Sequence, residues 1–184
     1  FESPKVYDKL LLPQDSPLRK AVVISNPLGE DFSIMRTISL NGMLTSLSTN
    51  FNRRNKNVRL YELGNIYLPK QVPVTELPEE RMQFTLGMYG EGDFFTMKGV
   101  IEEFLYKAGM KLKPEYDPEA GKPFLHPGRQ ANVVYDGTVI GYLGEVHPTV
   151  AANYAIKERV YVAVLDMPEI VSRTSVDNRY EGIA

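Results

Sequence analysis

The chain has 184 residues, 43% of them hydrophobic and 24% charged, which suits one well-packed domain of ordinary globular composition. With 21 basic against 23 acidic side chains the net charge is −2, so no global field draws the chain to nucleic acid or to an anionic membrane. There is no cysteine, which excludes disulfides and thiolate metal sites and suits a reducing cytoplasm, and no apolar run is long enough to span a bilayer.

Residues 1–18, with prolines at 4, 13 and 17, read as a leading segment. The start, Phe1-Glu2-Ser3-Pro4, has neither Met nor a signal-peptide pattern, so the chain is expected to be part of something longer. Ala21-Val22-Val23-Ile24-Ser25 is a short apolar run between polar residues and is predicted to be a buried strand. Asn26-Pro27-Leu28-Gly29 is turn chemistry. An amphipathic helix is predicted over residues 33–52, opened by Met35-Arg36-Thr37, with Ser33 or Asp31 as its cap. Met35, Ile38, Met43, Leu44, Leu47 and Phe51 recur there near helical spacing. The cations that follow, in Asn52-Arg53-Arg54-Asn55-Lys56-Asn57, oppose the partial negative charge of a helix C-terminus. That reading is preferred to a nucleic-acid contact through Arg53, Arg54, Lys56 and Arg59.

Val58–Leu68 is β-rich and is predicted to be a long strand. Pro69, Pro73 and Pro78 make the next stretch a loop, Gln83–Tyr89 a second strand, and Gly90-Glu91-Gly92-Asp93 a turn. Met97, Val100, Ile101, Phe104, Leu105 and Ala108 define a second helix stopped by Gly109. Asp136-Gly137 between Ala131–Tyr135 and Thr138–Leu143 is a strong hairpin signal, because a type I′ turn needs positive φ at both central positions. Pro148–Ile156 reads as a short helix, Val160–Leu165 as a central strand and Pro168–Ser172 as a last helical turn or two. Hairpin links outnumber βαβ alternation. The expected class is α+β: six or seven strands in a mostly antiparallel sheet, flanked by three or four helices on one face.

Candidate chemistry is sparse. His126 and His147 each precede a proline, and with Glu145 they are the only imaginable metal trio, yet no ligand spacing supports it. Extended backbone before proline is the preferred reading of both. Gly137, Gly141 and Gly144 sit in a hairpin rather than at a strand–helix junction, so they mark bulges or close backbone approach more readily than a phosphate loop. Glu102-Glu103 are adjacent in a helix and point about a quarter turn apart, as a solvated face does. Arg36 and Arg129 are the most interesting cations, each beside a turn, and either fork fits a carboxylate or phosphate. A structural ion pair is the stronger reading for both, for Arg36 with Glu30 or Asp31.

Six strings, in order, carry a resemblance. They are Asn26–Thr37, Asn50–Arg54 with Val58–Tyr67, Phe95–Val100, His126–Ala131, Ile140–Pro148 and Val160–Asp166. Together, over roughly residues 20–170, they resemble the beta subunit of bacterial phenylalanyl-tRNA synthetase. The resemblance implies a fold similar to the class II aminoacyl-tRNA synthetase core, in a module that is a silent relative of the alpha subunit's catalytic core. Class II sites use a Phe-Arg-x-Glu segment whose arginine holds the ATP α-phosphate. The matching place here is Tyr67-Leu68-Pro69-Lys70, with leucine at the arginine position. The glycine-rich junction ending in arginine is likewise missing from Leu165-Asp166-Met167-Pro168-Glu169. Without those cations an adenylating phosphate loses its main electrostatic stabilisation.

The resemblance therefore implies a single synthetase-core-like domain over 1–184, with 173–184 leading towards a C-terminal domain outside the chain. Expected are no catalytic residue, no cofactor and no metal in this domain. ATP and magnesium belong to the holoenzyme, the alpha subunit is the partner, tRNA is met in the full cytoplasmic heterotetramer, and no membrane is involved. The rival expectation is a stand-alone class II-like ATP-dependent ligase that uses Arg36 and Arg129 instead.

Overall fold

A strand covered on one face alternates apolar and polar residues; one enclosed on both faces does not need to. Val160-Tyr161-Val162-Ala163-Val164-Leu165 is apolar at every position, and the computed structural model, which describes residues 1–174, encloses all six. This strand, β6 (Val160–Asp166), is third in a six-stranded antiparallel sheet of order β1-β2-β6-β5-β4-β3. The others are β1 (Val58–Leu68), β2 (Glu79–Tyr89), β3 (Glu115–Asp117), β4 (Leu125–Tyr135) and β5 (Thr138–Val146). Residues 175–184, most of the expected 173–184 linker, lie outside the described residues.

Val160, Val162 and Val164 face a cluster that includes the short α1 (Val6–Lys9), α2 (Leu40–Asn52) and α4 (Pro148–Asn153). Tyr161, Ala163 and Leu165 face a second cluster with α3 (Phe94–Lys107) and α5 (Met167–Val171). The helices thus lie on both faces, not on one as expected. The reason is already in β6, whose two apolar sides each need cover.

Local chemistry sets several boundaries. Asp93 accepts from the Thr96 N–H at 3.0 Å while Thr96 Oγ1 accepts from the Asp93 N–H at 3.1 Å, a capping box that starts α3. Gly109, at φ 87°, ends it. Asp136 (φ 48°) and Gly137 (φ 80°) take the left-handed conformations a type I′ turn requires.

Two expectations fail together. The helix predicted over 33–52 begins only at Leu40, and Ala21–Ser25 is no buried strand. Ile34 instead bridges both Glu2 and Val23, and the Met35 N–H donates to Val22 O at 2.9 Å. Thr37 Oγ1 meets the Tyr7 hydroxyl at 3.0 Å and Ser39 Oγ meets Thr85 Oγ1 at 2.7 Å. Residues 34–39 bond to distant segments, so the chain stays extended, and Val23, bridged once, is 71% exposed. The second strand also starts four residues before Gln83, because Glu79–Met82 complete the β1 register.

Candidate functional site

The α2 side of the sheet is only half covered. Where α2 crosses β2, Met43 and Leu47 press on Gly87, and a Cβ there would lie 2.7 Å from Met43 Cγ. Beyond the start of α2 the sheet floor opens into a cavity of about 620 Å³. Ile66 and Leu68 of β1, Gln83 of β2 and Tyr142 of β5 line it, with Leu12, Leu18, Ile38, Lys122 and Phe124 as walls. Leu68, the leucine at the expected arginine position, therefore stands on this wall.

Arg81 of β2 lies beside the end of β6. Its Nε donates to Asp166 Oδ1 at 2.6 Å, its Nη2 to Asp166 Oδ2 at 2.5 Å and its Nη1 to Glu79 Oε1 at 2.8 Å. Hydrogen bonding to Asp166, then to Glu79, pushes its pKa further up. Glu169 pairs with Arg173 at 2.5 Å. The carboxylates around Arg81 thus all have arginine partners, and the donor set does not fit a magnesium ion, which takes bare oxygens.

Lys122 is held differently. Its backbone N–H donates to Gln130 Oε1 at 2.8 Å and its carbonyl accepts from Gln130 Nε2 at 3.3 Å. That clamp sets its ammonium 4.8 Å from the centroid of the Tyr142 ring. Burial pushes its pKa down, and among the described residues no carboxylate offsets this.

Arg36 and Arg129 come to opposite sides of the sheet. Extended residues 34–39 lay Arg36 across β1, where Nε donates to Asn65 O at 2.8 Å and Nη2 to Glu62 Oε1 at 2.5 Å. The guanidinium occupies the space a side chain at Gly64 would need. The expected partners Glu30 and Asp31 are not used: without a helix at 33–39 they lie along another course, and Glu30 meets Lys5 at 3.4 Å. Arg129, on the α3 side, donates to Glu145 Oε2 at 2.8 Å, and Arg159 approaches Glu145 Oε1 at 3.4 Å. Glu145 itself is buried.

The chain matches, over residues 1–167, the family model described as the phenylalanyl tRNA synthetase beta chain CLM domain. The chain belongs to this family. Among its relatives, the phenylalanine–tRNA ligase beta subunit of Clostridium acetobutylicum is 44% identical over 183 residues, covering 100% of the chain and 23% of the relative. That of Clostridium tetani is 40% identical with the same coverage, and that of Symbiobacterium thermophilum 38% identical over 88% of the chain and 19% of the relative. The chain thus spans less than a quarter of the length of these relatives.

Other candidates of this family member have local partners or face solvent. His126 Nδ1 accepts from the Gly128 N–H at 3.0 Å and His147 Nδ1 from the Thr149 N–H at 3.1 Å, the latter capping α4. Glu145, the third member of that imagined trio, is engaged by arginines, and among the described residues no group of three His, Asp or Glu is placed to hold a metal. Glu102 accepts from the Tyr116 hydroxyl at 3.1 Å, and Glu103 pairs with Lys107 at 2.8 Å. Arg53, Arg54, Lys56 and Arg59 are exposed. Lys122, Gln130, Tyr142 and the Arg81–Asp166 pair escaped sequence reasoning; the only local sign was a lysine between Gly121 and Pro123.

Proposed function

We propose that this domain is the non-catalytic, class II synthetase core-like module of a phenylalanine–tRNA ligase beta chain. It packs against a catalytic alpha subunit and so supports ATP- and magnesium-dependent ligation of phenylalanine to tRNA in a cytoplasmic heterotetramer. As a single unit over 1–184 it holds no catalytic group, cofactor or metal.

The observation that carries the silent reading is the chemistry at the sheet end. Leu68 lines the cavity at the position where the resemblance expects an arginine, and Arg81 is already bound bidentately by Asp166. Arg36 and Arg129, on opposite faces, have no common phosphate to grip. The packing role draws support from residues 23–32, where Val23, Leu28 and Phe32 are all exposed, Leu28 at 97%.

The test is co-purification of the full-length beta chain with its alpha chain. Val23→Asp, Leu28→Asp and Phe32→Asp together should weaken recovery of alpha while leaving the beta melting temperature in place; unchanged recovery overturns the packing surface. Calorimetric titration with ATP and magnesium tests the silent reading: micromolar binding lost on Arg129→Ala would favour a stand-alone ligase instead.

A further inference from the structure

Among the polar side chains that line the cavity beyond α2 are Lys122, Tyr142 and Gln83. Among the described residues the Lys122 ammonium has no carboxylate partner, and neither the Tyr142 hydroxyl nor the Gln83 carboxamide bonds to another protein group. All three are half-buried and reach the open mouth of the cavity. The lysine is not a loose surface side chain either. Buried Gln130 clamps both of its backbone polar groups, and the Tyr142 ring lies under its ammonium.

We propose that this cavity binds a small monocarboxylate with an apolar body. Lys122 and Tyr142 receive the carboxylate, and Leu18, Ile38, Ile66, Leu68 and Phe124 enclose the body. This goes beyond the scaffold role and stands whether or not the domain packs against a catalytic subunit.

Three observations choose this ligand. About 620 Å³ lies within the usual range for small-molecule pockets, and the walls are mainly aliphatic and aromatic. One ammonium and one hydroxyl match the two oxygens of one carboxylate; an Nζ–H and an O–H each donate to one of them. A phosphate dianion needs more donors, and among the described residues Lys122 is the one cation in the cavity lining. Exposed Asp15 on the rim further disfavours a second negative charge.

The test uses the full-length protein in its native assembly and the aliphatic probe 6,6,6-trifluorohexanoate, which a phenylalanine site does not match, followed by fluorine NMR. A saturable bound resonance is expected in the wild type. It should weaken roughly tenfold or more in Lys122→Met, less in Tyr142→Phe, and persist in Lys122→Arg, which keeps the charge. The primary amide of the same acid should bind at least about tenfold more weakly, and inorganic phosphate should not displace the probe. A titration unchanged by Lys122→Met, equal binding of acid and amide, or displacement by phosphate overturns the proposal. If Lys122→Met fails to fold, Tyr142→Phe decides: an unchanged titration there overturns it too.

Discussion

Arg81 of β2 and Asp166 of β6 lie across the strand pair with their planar groups fork to fork, Nε to Oδ1 at 2.6 Å and Nη2 to Oδ2 at 2.5 Å. Asp166 is mostly buried, so neither charge is freely exchanged with water. Asp166→Asn keeps the shape but removes the charge, and should cost about 1–2 kcal/mol in urea unfolding. Arg81→Met with Asp166→Leu should cost less than the sum of the single changes, because neither partner is then left buried and alone. Strict additivity in that cycle would show that the pair does not act as a unit.

Gly141 shows how closely β5 and β6 run. A Cβ at this position would enter the Val164 carbonyl and lie 3.0 Å from Leu165 Cα, both backbone. Backbone in mid-sheet cannot step aside, so Gly141→Ala should lose about 3 kcal/mol by thermal or chemical unfolding. Gly137, in the adjoining turn, has nothing within 4 Å of its missing Cβ and only its φ of 80° to protect it. Gly137→Ala should cost about 1 kcal/mol. Equal losses would mean that turn strain, not interstrand approach, governs both.

These glycines also show where sequence reading works. The Asp136-Gly137 hairpin, the turn at Gly90–Asp93 and the central strand β6 were readable because each depends on a few neighbouring residues. The helix predicted from residue 33 was wrong for the opposite reason. Met35 and Ile38 fit a helical stripe, but the backbone and hydroxyls of 34–39 are bonded to Glu2, Tyr7, Val22 and Thr85, partners that no local pattern reveals. Ala21–Ser25 has β composition and only an isolated bridge, since composition does not supply a partner strand. At the candidate site, Leu68 could be read from the resemblance. The Gln130 clamp on Lys122 required the path of the loop that leads into β4, and Glu145 as the partner of Arg129 required the register of β4 on β5.

Glu2 ties stability to pH. Its Oε1 accepts from Asn41 Nδ2 at 3.3 Å, while Oε2 is buried with no partner among the described residues. Burial raises its pKa, opposed by the Asn41 hydrogen bond and by Arg36. A carboxyl whose folded pKa is raised binds its proton more tightly when folded. Its contribution is therefore fully present below the ordinary carboxylate range and is lost as pH rises through the raised value. Glu2→Gln mimics the protonated form, so in the full-length chain it should raise stability at about pH 7 and change little at about pH 3. A gain confined to acid would reverse the assigned direction.

Leu68→Arg asks how far the sheet end is from a nucleotide site. On the proposed reading two absent cations separate this domain from an adenylating centre, and this substitution restores one. The new guanidinium would stand opposite Glu79 in the β1–β2 register, and Glu79 joins the Arg81–Asp166 pair, whose carboxylates still carry negative charge. At a separation of a few ångströms each such charge opposes a phosphate by about 1 kcal/mol even in bulk water, and by more in a cleft. Leu68→Arg alone should therefore leave ATP–magnesium binding weaker than about 1 mM by calorimetry. Adding Asp166→Asn removes one carboxylate and frees Arg81, and should improve binding at least about tenfold over the single variant. If Leu68→Arg by itself yields micromolar ATP affinity, the leucine was the only barrier, and the surrounding acid–arginine pairs do not keep the site silent.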